Sequence, residues 1–134
     1  MTRHELREQL FRLLFRADFF PETELPAQAE LYLEDEEQQE MSPSERIYVQ
    51  TRYEEICSRL EEIDTEINEK TTGWVTDRMG KAELTILRLA VYEIRYDDQI
   101  PDAVAINEAV ELAKTYGPED ASSFVNGVLA RFVG

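Results

Sequence analysis

Cysteine, histidine and tryptophan each occur once among the 134 residues. Cys57 alone cannot build a disulfide framework, and His4 and Cys57 offer neither metal-ligand spacing nor a nucleophile beside its base. Glycine is nearly as scarce: there are five, and none falls in a GxGxxG or GxxxxGK[ST] arrangement that would cradle a phosphate. No apolar run approaches about 18 residues, so no membrane span is expected. No charged segment leads into an apolar one at the start, which places the protein in the cytoplasm rather than on a secretory route. Bases are also few, 14 against 29 acids, for a net charge of −15. The average field therefore repels phosphate, and a nucleic-acid role has to be carried by a local patch. Acidic pairs occur throughout and single out no acid–base couple. The sequence reads as a non-enzyme with no cofactor and no metal.

What is present is enough apolar material, 43%, for a single domain spanning residues 1–134. The charge is unevenly spread. Residues 1–20 carry Arg3, Arg7, Arg12 and Arg16 against three acids, whereas residues 21–70 hold sixteen acids and four bases. Screening over about 8 Å at physiological salt lets a positive N-terminal end act separately from that acidic middle.

Apolar spacings of three and four fill the gaps between Pro21, Pro26, Pro43, Gly73, Gly80, Pro101 and Gly117-Pro118, which predicts an all-α protein. The first helix runs from about Arg3 to Phe19. Ser42-Pro43-Ser44-Glu45 is a capping box with proline at the first helical position. It opens a helix whose stripe continues through Val49, Tyr53, Ile56, Leu60, Ile63 and Ile67. Lys81 to Tyr96 is apolar almost all round, as expected of the buried centre of a domain. Asp102 to Tyr116 follows, with Gly117 expected as a left-handed cap, and a last helix spans about Asp120 to Phe132. The acidic tract at Glu34–Glu40 is the only low-complexity piece.

Polar residues break the packing pattern in three places. Arg7 falls between a Leu6/Leu10/Leu13/Leu14/Ala17 stripe and a Phe11/Phe15/Phe19 stripe. It either snorkels from the core edge or belongs to a cationic, ring-flanked surface suited to unstacked bases. Both readings place its guanidinium in water. Arg88 and Glu93 interrupt the apolar central helix; Glu83 and Glu108 are candidate partners for Arg88, which is either an internal ion pair or an interface charge. In Asp120–Leu129, Asp120 and Ser122 are N-cap types, the helix start offers amides to an anion, and Gly127 suggests close approach of another backbone.

The runs Leu87-Arg88-Leu89-Ala90-Val91-Tyr92-Glu93-Ile94, Ile100-Pro101, Val104 through Lys114, Tyr116-Gly117 and Phe124-Val125-Asn126-Gly127-Val128-Leu129 strongly resemble the NusB family. The likeness extends to the first helix, with Arg3, Arg7, Leu14 and Phe15; residues 21–70 match in helical character and length. The resemblance implies about seven helices in two small bundles packed roughly crosswise. It also implies binding of the boxA element of nascent ribosomal RNA as single-stranded RNA, together with the ribosomal protein NusE. The resemblance further implies other Nus factors and RNA polymerase as partners in the assembly. By the same resemblance Arg3, Arg7, Asp120, Ser123 and Phe124 face RNA, while Phe15, Glu83 and Arg88 lie at the NusE surface. An acidic protein with a small positive end suits a basic companion and weak RNA binding by itself.

Two other readings stay open on the residues alone. One is a helical interaction domain without RNA binding. The other is a detached NusB-like domain of a ribosomal RNA cytosine methyltransferase. Monomer and homodimer are equally compatible with the pattern.

Overall fold

The computed structural model describes residues 1–34, 40–71 and 79–133. Asp35–Gln39 of the acidic tract and the punctuating Gly73 lie outside them. Among the described residues there are seven α-helices and one 3-10 turn, with no strand. The chain forms two compact units, Met1–Cys57 and Ser58–Gly134.

In the first unit, α1 (Arg3–Ala17) leads through a 3-10 turn (Glu22–Glu24) to α2 (Leu25–Glu34), and α3 (Pro43–Ser58) follows. Two capping boxes start helices here. The expected one holds at α3, where the Glu45 N–H donates to Ser42 Oγ at 3.2 Å and the Ser42 N–H donates to Glu45 Oε1 at 2.8 Å. A second one opens α1, with the Glu5 N–H on Thr2 Oγ1 and the Thr2 N–H on Glu5 Oε1, both 3.1 Å. Each satisfies helix-start donors that have no intrahelical acceptor. The Met1 ammonium lies 2.7 Å from Glu45 Oε2, which ties the beginning of α1 to the beginning of α3. Leu10, Phe11, Leu13 and Leu14 of α1 are buried with Val49, Tyr53 and Ile56 of α3, and each fully covered aliphatic or aromatic chain contributes roughly 1.5–3 kcal/mol. On the α1–α2 side, Tyr32 donates its hydroxyl to Gln9 Oε1 at 2.5 Å, and the Arg16 guanidinium stands 5.5 Å from the Tyr32 ring centroid. Burial, followed by the neighbouring Cys57 thiol, pushes the Tyr53 hydroxyl well above the ordinary tyrosine range.

The expectation of one continuous helix through Ile67 is corrected. The helix ends at Ser58, Arg59 takes φ −114° and ψ 9°, and α4 (Leu60–Lys70) begins anew. No proline or glycine marks the break. The division of the apolar stripe between two units decides it: Val49, Tyr53 and Ile56 belong to the first, Ile63 and Ile67 to the second.

In the second unit, α5 (Lys81–Tyr96) and α6 (Asp102–Tyr116) have the expected bounds, and α7 covers Ala121–Leu129. α5, α6 and α7 pack on one another, with α4 against α5. Leu84, Ile86, Leu87, Leu89 and Val91 bury α5 on most of its circumference. Ala105, Ala109 and Ala113 form a buried small-residue stripe on α6, which lets neighbouring helices approach closely.

Two glycine expectations are corrected. Gly117 caps α6 in extended backbone, φ −98° and ψ 172°, not in the left-handed region. What requires glycine there is space, because a Cβ would stand 2.5 Å from the Ala121 Cβ and 2.9 Å from the Ala113 carbonyl oxygen. Gly127 shows the reverse: it is exposed, and a Cβ on it would meet nothing within 4 Å. No other backbone among the described residues approaches that position.

Candidate nucleic-acid interface

The first-unit candidates are set by α1. Arg3 is the first residue of the helix and is exposed, with its backbone held by the Thr2/Glu5 box. That box was legible as a T-x-x-E spacing and was missed beside the more obvious Ser42 one. Glu5 is thereby committed: backbone donation from Thr2 is the main cause that holds its carboxyl below the usual range. One turn on, Glu8 Oε1 lies 3.3 Å from His4 Nε2.

Arg7 departs from expectation. It is 5% exposed, so its guanidinium does not form part of a solvated cationic face. Helical geometry explains this, since a residue between two apolar stripes is enclosed when both stripes are covered, and here Phe11 and Leu10 are buried on either side. Arg7 is buried, and the exposed arginine at the start of α1 is Arg3.

From α1 into the turn that follows it, the aromatic stripe forms a ladder. Phe11 and Phe15 have ring centroids 6.0 Å apart, and Phe15 meets Phe19 edge-on at 5.4 Å. Exposure rises along it, from buried Phe11 through half-buried Phe15 to Phe19, which is 59% exposed. Phe15 thus rests on a buried ring and shows part of its own face.

In the second unit, Asp120, Ser123 and Phe124 gather at the start of α7. Asp120 and Ser123 are exposed and Phe124 is half-buried. Asp120 occupies the N-cap position, yet its side chain makes no capping hydrogen bond; the local contacts are backbone ones, the Phe124 N–H to the Asp120 carbonyl at 3.2 Å and the Ala121 N–H to the Pro118 carbonyl at 3.0 Å. Arg3 and Arg7 belong to one unit and Asp120, Ser123 and Phe124 to the other.

Glu83 and Arg88 both lie on α5. Glu83 is in its first turn, where an acidic side chain is favoured by the helix dipole, and its carboxylate sits over Gly80 with Gly117 nearby. Arg88 makes a two-pronged ion pair, Nε to Asp64 Oδ1 at 2.8 Å and Nη2 to Asp64 Oδ2 at 2.7 Å. Asp64 comes from α4 and was not among the partners expected from sequence. Nothing in its surroundings on α4 signals the pairing, which arises from packing of α4 on α5. Further cross-links join the two helices: Arg95 Nε to Glu66 Oε1 at 2.6 Å and the Tyr96 hydroxyl to Glu62 Oε2 at 3.1 Å. Arg59 lies 4.2 Å from the Tyr96 ring centroid. Among the described residues, no group of three or more His, Cys, Asp or Glu is placed to hold a metal ion, and no helix is long and apolar enough to cross a membrane.

The model of the NusB family matches residues 4–134. The chain is 48% identical over 133 residues to the transcription antitermination protein NusB of Lachnoclostridium phytofermentans, covering 99% of each. It is 48% identical over 132 residues to the protein of that name from Agathobacter rectalis, covering 98% of this chain and 99% of the relative. Among solved structures, T. maritima NusB superposes with a TM-score of 0.87 at 32% identity, over 98% of this chain and 89% of that one. A structure of antitermination factors NusB and NusE in complex with double-stranded RNA matches with a TM-score of 0.82 at 28% identity, over 97% of this chain and 96% of that one.

Proposed function

The chain belongs to the NusB family, and from that premise we propose that it is a transcription antitermination factor. It binds the boxA element of nascent ribosomal RNA together with NusE and joins elongating RNA polymerase with the other Nus factors. The observation that carries this is the 48% identity to NusB antitermination proteins across 99% of both chains, which reaches well beyond a shared helical architecture. The role is regulatory rather than catalytic, and its place of action is the cytoplasm.

Physical chemistry supports a two-protein reading. A chain of net charge −15 is a poor RNA ligand by itself and a good ligand for a basic ribosomal protein. Once NusE is bound, RNA contacts on both proteins act at high effective concentration, and the joint affinity exceeds either alone. In this reading Arg3, Asp120, Ser123 and Phe124 face RNA. Arg3 supplies phosphate attraction, Phe124 a ring for stacking, and the Asp120 carboxylate and Ser123 hydroxyl base-edge contacts. Arg7, being buried, supports the helix that carries Arg3. Phe15, Glu83 and Arg88 face NusE.

Gel shifts with a boxA oligonucleotide test the reading, with single-stranded, duplex and scrambled RNA run in parallel, with and without NusE. The expected result is weak binding by the chain alone and binding at least about tenfold tighter with NusE present, selective for boxA. Equal affinity in the presence and absence of NusE, or equal affinity for the scrambled RNA, overturns it.

A further inference from the structure

We propose that Asp64 is a positioning residue for NusE binding, acting through Arg88; the inference rests on Arg88 meeting NusE. Arg88 stands out in α5 because the chains around it, Leu84, Leu87, Leu89 and Val91, are buried apolar ones. Its own side chain is 13% exposed and that of Asp64 23% exposed, so the pair sits at the rim of the apolar core, partly desolvated and still in reach of a partner. Both carboxylate oxygens are used, at 2.8 and 2.7 Å. Such a fork holds the guanidinium plane fixed, where a single contact would leave it free to rotate.

Two consequences bear on the partner. The first is charge. A ribosomal protein is basic, and an arginine facing it without compensation would repel it; the Asp64 carboxylate cancels that charge where the surface is partly dry and screening is weak. The second is direction. Asp64 belongs to α4 while Arg88 belongs to α5, so the packing of one helix on the other sets which face of the guanidinium is presented. The neighbouring cross-links from Glu66 to Arg95 and from Glu62 to Tyr96 hold the same two helices together. Asp64 thus couples the placement of α4 to the shape of the α5 surface.

A double-mutant cycle read by calorimetric titration with NusE tests this, with thermal unfolding recorded for each variant. Asp64→Asn keeps the size of the side chain and removes its charge; it is expected to weaken NusE binding about tenfold with a small change in melting temperature. Asp64→Glu is expected to recover most of that loss. In an Arg88→Met background, Asp64→Asn should change the affinity by less than about twofold. Should Arg88→Met fold poorly, Arg88→Gln serves in its place, since it removes both the charge and the fork while keeping a polar side chain. An equal loss from Asp64→Asn in both backgrounds would show Asp64 acting directly on NusE and overturns the proposal. Lowered melting temperature with unchanged NusE affinity also overturns it, by making the pair purely structural. Unchanged affinity in Arg88→Met itself overturns the placement of Arg88 at the NusE surface. That outcome is separable from failure of the antitermination reading, which the RNA gel shifts report.

Discussion

Gly117 and Ala121 meet across the turn between α6 and α7 so closely that a Cβ on the glycine would stand 2.5 Å from the Cβ of the alanine. The Ala113 carbonyl closes the other side at 2.9 Å. Neither obstacle is the end of a flexible side chain, so the backbone itself must yield. Gly117→Ala is expected to destabilise the protein by about 1–3 kcal/mol, read as a lower urea midpoint. Because the turn leads directly to Asp120 and α7, RNA binding in the NusE complex should fall with it. An unchanged midpoint would contradict the packing described.

Gly127 gives the opposite expectation. It lies inside α7 with open space around its Cα, and glycine in a helix is less favourable than alanine mainly through the freedom it has when unfolded. Gly127→Ala should therefore stabilise by roughly 0.5–1 kcal/mol, measured by urea unfolding. Destabilisation would imply a neighbour at this site.

Arg3 and Arg7 separate function from stability within one helix. Arg3→Glu changes an exposed charge and should weaken RNA binding by the NusE complex, with a reduced salt slope and the melting temperature held. Arg7→Ala removes a side chain that is 5% exposed and should cost about 1–3 kcal/mol of stability through lost packing and stranded contacts. Thermal unfolding and gel shifts on both variants decide the matter; an Arg7 variant with full stability and lost RNA binding would restore Arg7 as a direct contact.

The two capping boxes predict an acid limb. Hydrogen bonding by the Met1 ammonium, then by the Ser42 amide, holds the Glu45 carboxyl below its ordinary 4.5, and the Thr2 amide does the same for Glu5. A depressed carboxyl pKa contributes stability that is present above the unfolded value and lost as pH falls through the folded one. Stability should thus be insensitive to these groups near neutral pH and drop below about pH 4.5. Glu45→Gln should flatten that drop in a urea-midpoint series against pH. The Met1 ammonium is raised from its ordinary 8.0, chiefly by its hydrogen bond to Glu45, so its share is present at lower pH and disappears as pH rises above that value.

Much of the fold could be read from residues alone because the signals were local. Lys81–Tyr96 and Asp102–Tyr116 begin and end where apolar periodicity, Gly80, Pro101 and Gly117 place them. The Ser42 box works as its spacing demands. Local signals misled where the deciding neighbour is remote in sequence. The α3–α4 stripe is periodic through Ile67, yet the helix breaks at Arg59 because its apolar residues serve two units. Gly127 looked like a close-approach glycine on its position in a helix, and open space surrounds it. Among the candidate residues, Arg3 is exposed and Arg7 is buried, since the angle between two stripes says that a residue is flanked without saying that both flanks are covered.

Sequence by itself determined that this chain is helical, that its negative charge is concentrated in the middle, and that its order of motifs belongs with the NusB family, because each of these depends on residue type and spacing along one strand of backbone. Tertiary structure decided which cations remain in water and which acid meets Arg88. Burial and ion pairing are properties of distances through space. Arg88 and Asp64 are 24 positions apart along the chain and 2.7 Å apart at their charged atoms, and only the packing of α4 on α5 converts the first separation into the second.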